Sequence, residues 1–298
     1  MVDGPRGGQS PTWATLIREG SYILSEAGVP SPTVDARALA EFVAGERPNP
    51  TARPGEAARR FLSLIGRRAQ RIPLQHLTGR MYFRYLTLAS TPAALVVRPE
   101  TEMVAGAAIA AVRERVSGAH PHPTALDLGT GSGAIALAIA TEVPPASVTG
   151  VDISAPALQL AQRNNAAYGT PVHFVEGDAL DPALATKLGR YDVVVSNPPY
   201  VPPGSAIAPE ATHDPALALW GGSAGGMEFP AALVRAARAL LVAGGRLIVE
   251  HDERQGAALR AVAKTAGYTD IVTRQDLTAR DRWLEATWPG DTQKGEGC

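Results

Sequence analysis

"TALDLGTGSGAIALAIA", Thr124–Ala140, opens as a short apolar run, breaks on glycines at alternate positions and resumes as an alanine-rich apolar stretch. A run of strand length that passes through a glycine turn into helix-compatible sequence is the start of a strand–loop–helix unit. The pattern recurs on its C-terminal side, where "SVTGVDI", "VHFVEGD" and "YDVVVSN" are apolar runs separated by helix-like or turn-rich segments such as "APALQLAQRNNAAYG". Continuous rather than alternating hydrophobicity implies strands covered on both faces, hence a parallel sheet with crossover helices. Further on, "GMEFPAALVRAARALLVAGG" predicts a helix closed by glycines, "RLIVEHD" a fifth strand and "ERQGAALRAVAKTAG" another helix. "YTDIVTRQD" and "RDRWLEATW" have no helix between them, so this final pair is expected to be antiparallel. The predicted fold class is α/β.

Upstream, Leu16, Ile17, Ile23 and Leu24, then Leu39, Phe42 and Val43, recur at helical intervals and are punctuated by Gly-Val-Pro and Arg-Pro-Asn-Pro. This predicts a helical domain over residues 1–75. Alternating aromatic and β-branched residues in "GRMYFRYLTLASTPAALVV" predict a β-hairpin linker within 76–97, followed by the α/β domain over 98–290 and a tail over 291–298. The chain has 298 residues, 45% hydrophobic and 19% charged, with a formal net charge of −1. That size supports a substantial core, and that charge disfavours a protein that coats nucleic acid. The single cysteine, Cys298, rules out a disulfide framework and fits a reducing compartment. No apolar stretch reaches the ~18 residues that span a bilayer, and "MVDGPRGGQSPTWATL" lacks a signal-peptide core, so a cytoplasmic location is expected.

The glycine loop Gly129-Thr130-Gly131-Ser132-Gly133 lies where backbone can approach a ligand closely. Its spacing is neither the dinucleotide fingerprint nor, without a following lysine, a P-loop. Asp127 before it would repel phosphates and favour a cationic ligand. Asp152, at the end of the second strand, can accept from two ribose hydroxyls, and Asp178, at the end of the third, can meet an adenine edge. Adenosine, a cationic centre and no phosphate describe S-adenosylmethionine, with S-adenosylhomocysteine as product. The expected contacts are Asp127, the loop residues Gly129, Thr130, Gly131, Ser132 and Gly133, Asp152 with Ile153, Asp178 with Ala179, and Asn197. Turn chemistry alone accounts for single members of this set but not for their order along the chain.

The fourth strand runs into Asn197-Pro198-Pro199-Tyr200, at the carboxyl end of a parallel sheet where ligands bind. Asn197 can accept from a planar NH₂ group, the carbonyls beside Pro198 and Pro199 are rigid acceptors, and Tyr200 offers a flat face to a planar substrate. Such a site grips an amide or aromatic amine by its protons and aims the nitrogen at a methyl donor. Nothing in the motif is a strong base, so rate enhancement is expected from orientation and from carbonyl dipoles. Asn197, Pro198 and Tyr200 are the expected catalytic residues.

Together with "DARALAEFVAG", "RIPLQHLTGRMYF", "RPETE", "VDIS", "DPALALWGG", "LLVAGGRLIVE" and "DLTARDR", these motifs resemble those of the release-factor glutamine N5-methyltransferases. These are class I methyltransferases with an N-terminal helical domain. The resemblance implies a Rossmann-like, seven-stranded, mostly parallel sheet with an antiparallel last strand, and a β-hairpin joining the two domains. It implies as substrate the glutamine of the Gly-Gly-Gln loop in class 1 peptide chain release factors, held by Asn197, Pro198, Pro199 and Tyr200, with Arg98 and Glu100 at the substrate entrance. The family usually has an aromatic residue where Ala179 stands, which leaves adenine stacking missing or assigned to Phe174. "EHD" also replaces Glu-Ile-Gly, and "GGME" stands where Asp-Gly-Leu-Asp is common.

Two other substrates fit the same catalytic stretch: an exocyclic base amine of nucleic acid, and a glutamine of a ribosomal protein. Residues 51–90 carry eight arginines against Glu56 alone, a pattern that suits a phosphate track, a solvated helix face or an acidic protein partner. Without interleaved aromatic platforms, stable nucleic-acid binding is not expected. A non-enzymatic adaptor would carry a damaged loop or motif, and both are intact. Gly7-Gly8-Gln9 raises self-methylation of Gln9 as an idea that mass spectrometry of the N-terminal peptide tests. The six histidines lack metal-ligand spacing, so no metal is expected.

Overall fold

The computed structural model describes residues 10–117 and 120–291; Gln9 and Cys298 lie outside them. The chain forms two compact units. The first comprises the chain through Gly79 together with Ala208–His213, and the second takes Arg80–Ile207 and Asp214 onward.

The first unit contains helices α1 (Trp13–Glu26), α2 (Pro32–Ala44), α3 (Ala57–Ala69) and α4 (Leu74–Thr78), the last of which runs three residues past 75. Thr12 caps α1 by accepting from the Thr15 amide. The apolar stripes meet around Trp13, Leu16, Leu39, Phe61 and Ile65, with Trp13 edge-on to Phe61. Gly20 sits where α1 approaches α3 so closely that a Cβ would lie 2.9 Å from Ile65. Arg68, almost fully buried, donates to Asp35 and to Glu210, while Arg71 grips both oxygens of Glu210 at 2.7–2.8 Å. The short segment around Glu210, 139 positions from Arg71, therefore belongs to the helical unit through charge-assisted hydrogen bonds.

In the second unit the hairpin consists of β1 (Arg80–Phe83) and β2 (Leu86–Ala89), within the expected 76–97. Its inward residues Met81, Phe83, Leu86 and Leu88 join one apolar cluster with Val104, Ala108 and Val112 of α5 (Thr101–Arg115). The main sheet has seven strands: β3 (Thr124–Leu128), β4 (Ser147–Asp152), β5 (His173–Glu176), β6 (Tyr191–Ser196), β7 (Leu241–Glu250), β8 (Thr269–Gln275) and β9 (Asp281–Trp288). Their spatial order is β5-β4-β3-β6-β7-β9-β8, and β9 alone runs against its neighbours. This is the seven-stranded, mostly parallel α/β sheet with an antiparallel last strand that the sequence predicts. The order reverses between β3 and β6, so the carboxyl ends of β3, β4 and β6 border one crevice.

Helices α6 (Ala134–Glu142), α7 (Ala155–Tyr168) and α8 (Leu184–Leu188) connect the parallel strands. The helix expected to run to Gly245 ends earlier: α-helix covers Glu228–Ala236, and β7 already begins at Leu241, which pairs with Tyr191. "LLVA" reads equally as helix or buried strand. Gly244, at φ 76°, accompanies the register shift that follows that first pair.

Candidate active site

Gly129, Gly131 and Gly133 all take left-handed backbone angles, φ 72°, 55° and 84°, which lets the loop after β3 fold tightly over the end of β4. The Gly129 and Thr130 amides donate to the Val151 carbonyl, and the Gly131 amide to Asp152 Oδ2. Asp152 Oδ1 accepts from the Ser154 amide at 2.9 Å. Burial raises the Asp152 pKa, opposed by these backbone hydrogen bonds. Asn164 of α7, fully buried, donates to the Ser132 carbonyl and accepts from the Ala89 amide, tying the glycine loop to the hairpin.

A cavity of about 640 Å³ opens beside this loop. One wall is formed by Gly129–Ser132, Asp152 and Ile153, and Gly177–Leu180; another by Asn197–Pro199 and Pro215–Ala218, closed by Trp220 and Phe229. The structure therefore gathers Gly129, Thr130, Gly131, Ser132, Asp152, Ile153, Asp178, Ala179, Asn197, Pro198 and Pro199 of the expected set around one space. Asp127, Gly133, Tyr200, Arg98 and Glu100 are not among the described residues that line it.

Asp127, Gly133, Arg98 and Tyr200 make contacts of their own. Asp127 lies behind the loop, 1% exposed, accepting from the Thr130 hydroxyl at 2.6 Å and the Ala136 amide at 3.2 Å. Burial pushes its carboxyl up to about 7, against the pull of those two bonds, and its Oδ1 has no partner. It braces the loop from behind rather than facing a cation. Gly133 packs under the Phe174 ring, and Phe174 fills the space beside Gly150, where a Cβ would lie 2.7 Å from it. Phe174, one of the two alternatives for adenine stacking, packs against these two glycines. Arg98 donates to Asp214, which also accepts from the Val96 amide, and Glu100 stands at the head of α5.

Tyr200 departs furthest from expectation. Its hydroxyl donates to Glu250, a wholly buried carboxylate at the end of β7, at 3.0 Å. Its carbonyl accepts from Gln255, and its backbone is crowded by Gly221 and Gly226, where a Cβ would come within 2.7 Å and 2.2 Å of Tyr200 atoms. Burial, then the Glu250 charge, raise the phenol pKa well above its ordinary value. Tyr200 is thus anchored at the motif's end through its hydroxyl and its carbonyl. Asn197 is held at the other end, its Nδ2 donating to Thr101 Oγ1 at 3.1 Å, and Ser196 Oγ donates to the Leu128 carbonyl, fastening β6 to the strand that feeds the glycine loop.

Residues 114–214 match the family model "Methyltransferase small domain", and residues 15–79 match "PrmC N-terminal domain". The chain is 43% identical over 285 residues to the release factor glutamine methyltransferase of Deinococcus radiodurans, covering 92% of this chain and 98% of that one. It is 42% identical over 276 residues to the protein of the same name in Streptomyces coelicolor, with 91% and 96% covered. The chain belongs to the release factor glutamine methyltransferase family. A methyltransferase structure from Pyrococcus furiosus, 20% identical and covering 69% of this chain and 90% of that one, shares the fold at a TM-score of 0.50.

This methyltransferase uses S-adenosylmethionine, and the cavity fits it. The lining is mainly apolar, carries two carboxylates at successive strand ends, and has no lysine or arginine among its described residues. That donor set suits ribose hydroxyls, an adenine edge and a sulfonium, and suits no phosphate. Among the described residues no helix is long and apolar enough to cross a membrane. Of the arginines in 51–90, Arg68 and Arg71 are paired with Asp35 and Glu210, and Arg84 with Glu142, while Arg60 lies over the Phe42 ring. The local excess of arginine is partly neutralised by acids distant in sequence. Sequence reasoning missed Thr101 and the Pro215–Trp220 wall, although both lie inside quoted motifs, "RPETE" and "DPALALWGG". It missed Glu250 entirely, because a strand-terminal acid looks solvent-facing until the partner strands are known.

Proposed function

We propose that this enzyme methylates the side-chain amide nitrogen, N5, of the glutamine in the Gly-Gly-Gln loop of class 1 peptide chain release factors. The observation that carries the reading is the tether on Asn197: with Nδ2 engaged by Thr101, its Oδ1 is the end left for an incoming N–H. A carboxamide NH₂ supplies that donor, and the Pro198 and Pro199 carbonyl region supplies a rigid second acceptor. When bound, S-adenosylmethionine supplies an electrophilic methyl carbon. The chain's own residues hold the partners: Asp152 the ribose, Asp178 the adenine edge, Asn197 and Pro198 the amide. Orientation is the main rate effect, since the amide lone pair is delocalised and no strong base stands beside Asn197. The names of the relatives support a release factor as the protein substrate.

The test is transfer of label from S-adenosylmethionine to purified release factor, its loop Gln-to-Ala variant, ribosomal protein and nucleic acid in parallel. Label is expected on the release factor and absent from the Ala variant. Label confined to nucleic acid or to ribosomal protein overturns the assignment.

A further inference from the structure

Ala179 and Leu180, which line the cofactor cavity, also line a second cavity of about 360 Å³ in the same unit. That volume is of small-molecule size. Its charged residues are Asp181, Arg190, Arg235, Arg238 and Asp291, beside apolar surface from Leu180 and Leu240. Both carboxylates are already answered: Asp181 pairs with Lys187 at 3.6 Å, and Asp291 with Arg190 at 3.1 Å. Arg235 and Arg238 are not, since neither has an acid or a hydrogen-bond acceptor among the described residues. The guanidinium carbon of Arg238 lies 4.7 Å from the centroid of the Trp288 ring, and its Nε and the Trp288 Nε1 are both buried donors without a partner. Contact with the ring holds the cation in place without neutralising it.

The local sequence brings these two cations together. Arg235 lies in the last turn of the helix Glu228–Ala236, and Arg238 in the 3₁₀ turn Ala237–Leu240 that continues it. Positions three apart on a helical surface are neighbours, and like charges there repel. Two guanidiniums in one cavity wall, with no acid of their own, are stabilised by sharing an anion. Their planar forks match the oxygens of a phosphate, and a dianion balances both charges where one carboxylate balances a single charge. A recess also separates a small ligand from nucleic acid, whose phosphodiesters carry one charge each and are followed by cations spread along a backbone.

We propose that Arg235 and Arg238 form a binding site for a phosphate dianion, either free or as the terminal group of a small monoester, separate from the space that holds the cofactor. The site does not depend on which group accepts the methyl. Its two cations hold the phosphate oxygens, and Leu180 and Leu240 offer apolar surface to the body of a monoester.

Titration calorimetry on the full chain tests it, in about 0.15 M sodium chloride to screen loose surface pairing. S-adenosylhomocysteine is kept saturating, so that the probes cannot enter the cofactor cavity. Inorganic phosphate and phenyl phosphate are each expected to bind saturably, one per chain. Tighter binding of phenyl phosphate assigns the site to a monoester, and equal or weaker binding assigns it to free phosphate. Arg235→Gln and Arg238→Gln are each expected to weaken binding about 10-fold, the loss of one charge-assisted contact. In ¹⁵N spectra the Trp288 indole N–H signal, assigned by its loss in Trp288→Phe, is expected to move with the same midpoint, because Arg238 lies over that ring. Three results overturn the proposal: no saturable binding of either probe below about 10 mM, affinity unchanged in both variants, or binding that leaves the Trp288 signal in place. So does an RNA oligonucleotide without terminal phosphates that binds more tightly than phenyl phosphate and loses that affinity in R235Q. If R238Q fails to fold, R235Q, at an exposed position, and the Trp288 signal decide it alone.

Discussion

Asn197 is a side chain fixed at one end and free at the other. Asn197→Ala removes the acceptor without touching Asp152, Asp178 or the glycine loop. Turnover is therefore expected to fall about 10²- to 10³-fold, as when a preorganised polar group is deleted from a reacting centre. S-adenosylmethionine affinity, measured by titration calorimetry, should change less than about threefold; a matching loss of affinity would show that Asn197 serves the cofactor instead. The position of Asn197 was legible because it directly follows β6, a parallel strand whose carboxyl end borders the crevice. The role of Tyr200 was not. An aromatic ring three residues later in an irregular segment has no periodicity to say which way it points, and its partner Glu250 is fifty positions away. For Asp127 the sequence shows a charge ahead of a glycine loop but not its partners, the Ala136 amide of α6 and the Thr130 hydroxyl.

At the scale of elements, β4 and β5 show how tightly the cofactor loop is backed. Phe174 of β5 packs against Gly150 of β4 and reaches Gly133 at the start of α6, so three elements share one ring. Gly150→Ala would put a methyl 2.7 Å from that ring and 2.9 Å from Thr130 Oγ1. Neither the ring nor the loop hydroxyl can withdraw without disturbing the turn. The variant is expected to lose about 1–3 kcal/mol of stability, the usual range for overpacking, and to weaken S-adenosylmethionine binding because Thr130 is displaced. Pairing it with Phe174→Leu should recover part of the stability in denaturant titrations; a fully additive loss would mean that the contact is not the cause. The strands themselves were readable from their apolar runs. The start of β7 was not, since a leucine–alanine stretch carries no period that separates a buried strand from a buried helix, and only the pairing of Leu241 with Tyr191 settles it.

For the whole molecule, ionisable groups far apart in sequence set how stability follows pH. Burial alone would raise Glu210, but the Arg71 and Arg68 hydrogen bonds outweigh it and bring the pKa down to about 2. A carboxyl depressed on folding stabilises the native state above its unfolded pKa and loses that contribution as pH falls toward the folded value. Glu210→Ala is thus expected to cost the protein about 1–3 kcal/mol at neutral pH, by stripping a partner from buried Arg68, and to lose that cost near pH 2–3. Asp127 and Glu250 have the opposite sign. Burial raises both to about 7, so each favours the folded state fully below the unfolded carboxylate range and loses this as pH rises through 7. His251, also buried and with its pKa lowered by burial, works against them: it stays neutral when folded, and its contribution shrinks below the ordinary histidine range. Asp152, also raised by burial, adds to the two carboxyls, and three raised carboxyls against one imidazole leave a net loss of stability toward alkaline pH. The ligand-free chain is therefore expected to melt a few degrees lower at pH 8.5 than at pH 5.5. Glu250→Gln, which removes one of these buried charges, should flatten that slope in part and melt above the parent at the alkaline end. A melting temperature that climbs steadily from pH 5.5 to 8.5 in both proteins would mean that these carboxyls are ionised throughout, and that the acid end of β7 is better solvated than its burial implies.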